Sequence, residues 1–313
     1  MLISFVSPFY NEEGCIAEYY QRVKDTAAIL NADFELICVD DGSTDNTLNI
    51  LKSLHEQDSS LKVISLSRNF GHQIALIAGL HHVSGDCAIV LDGDLQDPPE
   101  IALDMVEKWR QGYQVVYAIR EKRKEGVFKR ICYKTFYRIL GKLSKINIPM
   151  DSGDFCLMDK IIVEHIKKFN EINPFVRGLR SWIGFRQTGQ RYERSVRNAG
   201  KSKYSYYKLF QLAFHGLTSF SDALLNLSGI TGIFLALSSL LYGFLISVNR
   251  ILIFFGYMSS ERLIPGWTTI VALLTLVIGM QFIFMGIIGK YIGYIFMQSK
   301  QRPLYIVKET YGI

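Results

Sequence analysis

The first apolar run, residues 2–6, breaks at Pro8-Phe9-Tyr10-Asn11-Glu12-Glu13 into polar and acidic positions. The same figure then recurs down the chain. Phe34-Glu35-Leu36-Ile37-Cys38-Val39 opens into Asp40-Asp41-Gly42-Ser43-Thr44-Asp45, and residues 61–66 open into Ser67-Arg68-Asn69-Phe70-Gly71-His72. Ala88-Ile89-Val90-Leu91 opens into Asp92-Gly93-Asp94-Leu95-Gln96-Asp97-Pro98-Pro99-Glu100. Short apolar runs closed by turn residues predict buried strands. The intervening segments suit helices: residues 15–30, the segment carrying Leu48, Leu51 and Leu54 on one face, and residues 73–83. Residues 40–45 are rich in side chains that cap a helix start. Strand alternating with helix predicts an α/β, Rossmann-like, mostly parallel sheet with right-handed crossovers. A further strand, Val115-Val116-Tyr117-Ala118-Ile119, leads to Arg120.

Beyond this the pattern changes twice. Over residues 128–146, Phe128, Ile131, Cys132, Phe136, Ile139, Leu140 and Leu143 recur at helical spacing. Lys129, Arg130, Lys134, Arg138, Lys142 and Lys145 take the other faces. Such a basic amphipathic helix suits a membrane surface or the exterior of a basic protein. Residues 204–222 are aromatic and amphipathic, an interfacial segment. Residues 223–249 and 263–289 then contain no charged side chain. Each exceeds the roughly 20 residues that cross a hydrocarbon core as a helix, so two spans are expected, at about 226–248 and 264–289. Lys201, Lys203 and Lys208 precede them, and Lys290, Lys300, Arg302 and Lys308 follow. The positive-inside rule puts both ends in the cytoplasm. The expected organisation is therefore a cytoplasmic catalytic domain over residues 1–203, the interfacial segment, a membrane domain over 223–289 and a cytoplasmic tail over 290–313. Gly229, Gly232, Gly279, Gly286 and Gly289 would allow close helix packing and a homo-oligomer.

Composition removes several classes. The five cysteines, Cys15, Cys38, Cys87, Cys132 and Cys156, are scattered with no Cys-x-x-Cys pair. That argues against zinc or a disulfide framework and fits a reducing compartment. Residues 2–6 have no basic region before them and acids after them, so they read as a strand rather than a signal peptide. The Gly-x-Gly-x-x-Gly fingerprint of dinucleotide binding is absent from the first turn. The net charge of +6 would suit nucleic acid, an anionic membrane or a phosphorylated substrate. No nucleic-acid motif is present, so the basic residues are assigned to membrane and phosphate.

The chemistry concentrates at Asp92-Gly93-Asp94-Leu95-Gln96. Ligands of open α/β sheets sit outside the carboxyl ends of the strands. Two carboxylates and an amide placed there suit Mg²⁺ or Mn²⁺ held together with substrate phosphates. A capped strand end is the plainer alternative.

These motifs together resemble the GT-A type inverting glycosyltransferases of family 2. The resemblance is to the subgroup that moves a sugar from a nucleotide sugar onto a polyprenyl phosphate, as undecaprenyl-phosphate glucosyltransferases and dolichol-phosphate mannosyltransferases do. Gly153-Asp154-Phe155, Ser181-Trp182-Ile183-Gly184, Arg194 with Arg197, Gly200-Lys201-Ser202-Lys203-Tyr204, Tyr291-Ile292-Gly293 and Arg302-Pro303-Leu304-Tyr305-Ile306-Val307 extend it along the chain. Gly93 stands where related sequences often carry Ala, and Phe9 where a smaller residue such as Val is frequent. The resemblance implies metal ligation by Asp92, Asp94 and Gln96, with Asp94 and Asp154 catalytic. It implies nucleotide-sugar contacts from Pro8, Tyr10, Glu12, Asp41 and Asp92. Asp154 would serve as a base or orient the acceptor, and Asp97 would support the site or cap a helix.

Arginine forks suit a phosphate acceptor, which makes Arg120, Arg130, Arg194, Arg197 and Lys203 candidates. UDP-glucose is the expected donor, with mannose, GlcNAc or amino-arabinose nucleotides as alternatives. The implied setting is the plasma membrane of a bacterium, and the product would serve surface glycans such as O-antigen. A processive polysaccharide synthase would carry Gln-x-x-Arg-Trp, where this chain has Arg180-Ser181-Trp182. An inactive membrane-anchored sugar-nucleotide binding or transport subunit is the alternative from another class.

Overall fold

The computed structural model describes residues 1–121, 152–172, 174–193, 223–257 and 266–313. The expected basic helix over 128–146 and the interfacial segment over 204–222 lie outside the described residues. So do Arg130, Arg194, Arg197 and Lys203. The chain divides into two compact units, Met1–Gly216 with Arg302–Ile313, and Leu217–Gln301.

The first unit is built on β1 (Leu2–Phe9), α1 (Ile16–Ile29), β2 (Asp33–Asp40), α2 (Thr47–Gln57), β3 (Leu61–Leu66), α3 (His72–His81) and β4 (Cys87–Val90). There follow α4 (Ala102–Arg110), β5 (Val115–Glu121), β6 (Ser152–Asp159), α5 (Lys160–Ile166), α6 (Val176–Ile183) and β7 (Gln187–Glu193). Each apolar run is a buried strand because its two faces meet two cores. Successive side chains alternate across a strand. Ile3 and Phe5 of β1, Leu36 and Cys38 of β2, and Cys87 and Ile89 of β4 join one core, with Tyr19 and Val23 of α1. Val6, Ile37, Val39, Ala88 and Val90 join the other, with Ala75, Leu76 and Ala78 of α3. Each fully buried Val, Leu, Ile or Phe is worth roughly 1.5–3 kcal/mol.

The sheet runs β7-β5-β6-β4-β1-β2-β3-β8, where β8 is Val307–Tyr311. It is mixed, with four of its seven pairings parallel, in line with a mostly parallel sheet. β1 pairs in parallel with β2 and β4, β2 with β3, and β5 with β7. β6 is antiparallel to both β4 and β5, and β8 to β3. Periodicity marks a strand but not its direction. β6 enters the sheet from the end where β5 leaves it. The chain also reverses beside β1, building β2 and β3 on one side and β4 on the other. This is the switch point at which open α/β sheets bind ligands.

The second unit holds two long helices, α7 (Ala223–Phe254) and α8 (Trp267–Ser299). At 1.5 Å per residue each is about 50 Å long. Among the described side chains the apolar ones are largely exposed, including Ile230, Phe234, Leu237, Phe282 and Ile295. Among the described residues one stretch, Leu276–Ser299, is long and apolar enough to cross a membrane. The expected pair of spans is thus matched by two helices but by one such stretch. The helices also run past the expected ends, since a single charge such as Lys290 does not stop a helix.

Candidate active site

The carboxyl ends of β1, β2 and β4 deliver three loops to one place. The loop after β1 carries Tyr10, Asn11 and Glu12, with Asn11 at φ +54°. It is tied to the loop after β2: Asn11 N donates to Ser43 Oγ at 3.0 Å, Thr44 N to Asn11 Oδ1 at 2.8 Å, and Glu12 N to Thr47 Oγ1 at 3.0 Å. Pro8 itself is buried within β1, opposite Val39.

Asp41 does not cap α2, whose N-cap position is Asn46. Its two oxygens accept Phe70 N at 2.7 Å and Gly71 N at 2.9 Å, pinning the loop that starts α3. Burial pushes its carboxyl up against the pull of those two N–H groups. Gly42, at φ +70°, lets the chain pass: a Cβ there would lie 2.5 Å from the Arg68 carbonyl carbon. Gly71 at φ +102° then leads into His72, whose side chain stays 39% exposed at the mouth of the site.

His72 is the hub that motif reading passed over. Its Nε2 lies 3.3 Å from Asp92 Oδ1 and 3.6 Å from Asp154 Oδ2. Desolvation of the ring works against its charge, but Asp92 and then Asp154 outweigh it and lift its pKa to about 9. The signal available in the sequence was a histidine directly after Phe70-Gly71, at a predicted strand exit.

Asp92 and Asp154 meet because β6 is antiparallel to β4. Val90 pairs with Cys156, so the register carries Asp92 toward Asp154. Asp92 Oδ1 is buried and accepts no hydrogen bond. Burial pushes this carboxyl up; His72 opposes that, while Asp97, Asp154 and Asp94 add repulsion. Asp94 Oδ1 accepts Gln96 N at 3.1 Å across Leu95, whose φ is +57°. Among the described residues no three His, Cys, Asp or Glu side chains already form a metal cluster. The expected set of Asp92, Asp94 and Gln96 adds an amide to two carboxylates, and the buried Asp92 oxygen that accepts no hydrogen bond fits a hard cation.

Asp154 is 5% exposed and held side-on by Arg177 of α6. Arg177 Nε donates to Oδ1 and Nη2 to Oδ2, each at 2.8 Å. Burial would raise this carboxyl, but Arg177 and then His72 hold it well below the usual carboxylate range. One turn further along α6, the fully buried Arg180 donates from Nη1 to the Gly153 carbonyl at 3.2 Å. Arg177 and Arg180 form an Arg-x-x-Arg pair on a short helix, a spacing that places both on one face.

Arg120 is placed by a second carboxylate. Asp97, fully buried, accepts Arg120 Nη2 at 3.1 Å and the Tyr192 hydroxyl, and Arg120 Nε donates to that hydroxyl at 3.1 Å. Parallel pairing of β5 with β7 sets Arg120 beside Tyr192. Asp97 therefore supports an arginine rather than capping a helix. The structure brings together Asp92, Asp154, Arg120 and the loops bearing Tyr10, Glu12 and Asp41.

The model of glycosyl transferase family 2 matches residues 4–167. The glycosyltransferase YkcC of Bacillus subtilis is 43% identical over 311 residues, covering 99% of this chain and 94% of that protein. The bactoprenol glucosyl transferase of Shigella phage SfV is 38% identical over 309 residues, covering 98% of each. Among solved structures, the mannosyltransferase PcManGT of Pyrobaculum calidifontis, in complex with GDP-Man and Mn²⁺, is 17% identical with a TM-score of 0.47. It covers 66% of this chain and 59% of that one, a distance that does not bear on the chemistry.

Proposed function

The chain belongs to glycosyl transferase family 2, and on that premise we propose that it moves a sugar from a nucleotide sugar onto a polyprenyl phosphate at a membrane face. UDP-glucose is the donor we assign and undecaprenyl phosphate the acceptor. The observation that carries this reading is the 38% identity to a bactoprenol glucosyl transferase across 98% of both chains, the second unit included. A soluble acceptor would give no reason for the match to continue through α7 and α8.

In the inverting displacement, an acceptor phosphate oxygen bonds to the anomeric carbon as the bond from that carbon to the nucleoside diphosphate breaks. The acceptor is a phosphate monoester with a second pKa of about 6, so it is largely dianionic at neutral pH and already nucleophilic. Asp92, Asp94 and Gln96 would hold a divalent cation, which when bound supplies Lewis-acid stabilisation of the departing diphosphate. The loops after β1 and β2 would seat the nucleotide. Their mutual hydrogen bonds fix that seat before the ligand arrives, which lowers the ordering cost of binding.

The reading extends to two membrane crossings. The chain leaves the first unit at Gly216 and returns to it at Arg302, where β8 pairs with β3 of the same sheet. A segment whose two ends belong to one folded unit crosses an even number of times. One helix meets the length and apolarity needed, and α7 is the only other long helix described. Both termini and the catalytic unit would then be cytoplasmic, in a bacterial plasma membrane.

The test uses the purified full chain in vesicles containing undecaprenyl phosphate, with a panel of labelled nucleotide sugars, with and without EDTA. Lipid-linked label that EDTA abolishes is expected, greatest with UDP-glucose. Absence of lipid-linked product from every donor would refute the function. Full activity in Asp94→Asn would refute the metal assignment alone.

A further inference from the structure

We propose that Arg177 binds the acceptor phosphate and that Asp154 is a positioning residue acting through it, not a base. This rests on the acceptor class assigned above. The geometry carries it. A carboxylate that is to take a proton needs an oxygen directed at the nucleophile. Both oxygens of Asp154 are instead engaged by the side-on fork of Arg177, with His72 against one of them. The acceptor has no proton that must be removed, because a phosphate monoester is largely a dianion at neutral pH.

What a dianion needs here is positive charge. Asp92, Asp94, Asp97 and Asp154 crowd the same place and would repel it. The β6 start is flanked by two guanidiniums, each gripped by a buried carboxylate: Arg120 by Asp97 and Arg177 by Asp154. Gly153 lies between them. A Cβ at Gly153 would sit 3.3 Å from Arg120 Nη2, so the guanidinium lies against bare backbone. On the other side Arg180 holds the Gly153 carbonyl, and its Nε and Nη2 remain buried without a hydrogen-bond partner. The segment Gly153-Asp154 is thus a rail between arginines. A carboxylate buried beside a guanidinium restricts it to one rotamer, and so prepays the ordering cost of clamping a phosphate.

The test is a steady-state comparison of the full-length wild type with Asp154→Asn, Arg177→Lys and the double variant, in the vesicle assay above. Nucleotide-sugar affinity is measured separately by equilibrium binding. Either single change should raise KM for undecaprenyl phosphate about ten- to a hundredfold, the scale of one lost charge-assisted hydrogen bond. Donor affinity should stay within about twofold, and the double variant should be no worse than the poorer single one. Arg177→Ala should regain activity when guanidinium is added to the medium, which a packing defect would not allow. The proposal is overturned if Asp154→Asn lowers kcat at saturating acceptor with KM unchanged, the mark of a lost base. It is overturned equally if Arg177→Lys weakens donor binding and leaves acceptor KM alone. Wild-type protein that glycosylates no polyprenyl phosphate would instead fail the function itself, before any variant is compared.

Discussion

Gly93 sits between the two aspartates of the site, and its lack of a side chain has a steric cause that can be tested. It is not among the positive-φ glycines, so its backbone would accept alanine. The obstacle is Phe9: a Cβ on residue 93 would lie 2.3, 2.6 and 2.9 Å from three atoms of that ring. The ring cannot swing away. It is 2% exposed and packs edge-on against Tyr19 at 5.5 Å, and the fully buried Tyr19 is tied through its hydroxyl to Ser7. Gly93→Ala is therefore an overpacking change costing about 1–3 kcal/mol. For a unit of this size the melting midpoint should fall by roughly 2–4 °C per kcal/mol. Phe9→Val alone opens a cavity and destabilises by a similar amount. In the Phe9→Val background the alanine methyl enters the vacated space, so there Gly93→Ala should be neutral or stabilising. Thermal unfolding of all four proteins, followed by near-UV circular dichroism in one detergent, gives the cycle. Coupling of at least about 1 kcal/mol is expected, above the error of additivity for independent sites. Transfer activity should follow the same order, because the strain falls between Asp92 and Asp94. Equal midpoint losses from Gly93→Ala in both backgrounds would refute the reasoning. The pairing also accounts for two departures from the family pattern at once: a large residue at 9 requires the smallest residue at 93.

Two further outcomes are expected. Gly42→Ala should be the more damaging glycine change, because its φ of +70° is strained for alanine and its Cβ would meet backbone atoms of Arg68 and Asn69 at 2.5 and 2.7 Å. Midpoint loss and weaker nucleotide-sugar binding should appear together, and unchanged binding would detach this loop from the donor site. Glu35, buried at the amino end of the sheet, accepts from Lys62 Nζ and Ser84 Oγ at 2.7 Å each, from Ser84 N at 2.8 Å and from Ser4. Burial alone would raise its pKa, but these donors lower it from 4.5 to about 2. The folded value lies below the unfolded one, so the stabilisation is complete above about pH 4.5 and is lost as pH falls toward 2. It is of order 3 kcal/mol. Midpoints measured from pH 5 to 2 should fall more steeply for wild type than for Glu35→Gln. Parallel curves would reject the linkage.

Much of the first unit was legible along the chain. The strands over residues 2–6, 34–39 and 61–66 reappear, lengthened at most by a few residues, because a strand buried on both faces is predominantly apolar. The acids after Leu91 stand at a strand end as expected. Other features carry no local signature. His72 looks like a helix-start residue, and its place between Asp92 and Asp154 depends on two strands far away in sequence. Asp97 reads as a turn residue until Arg120 and Tyr192 come beside it. Arg177 was hidden in an amphipathic helix, where a charge is ordinarily a solvated position.

The sequence by itself determined the first five of the eight strands and which end of each carries the polar loop, because periodicity and turn chemistry act within a few residues; β6, β7 and β8 carried no such signal. The tertiary structure alone decided strand direction. An antiparallel β6 turns its first residues toward the carboxyl ends of β4 and β1. Gly153 and Asp154 thereby arrive at Asp92, with Arg177 from α6 on one side and Arg120 from β5 on the other. A parallel β6 with the same side chains would have put Asp154 at the far end of the sheet, the end at which Glu35 lies three strands away. Direction depends on where the connection over residues 122–151 re-enters the sheet, and no pattern inside the strand records that.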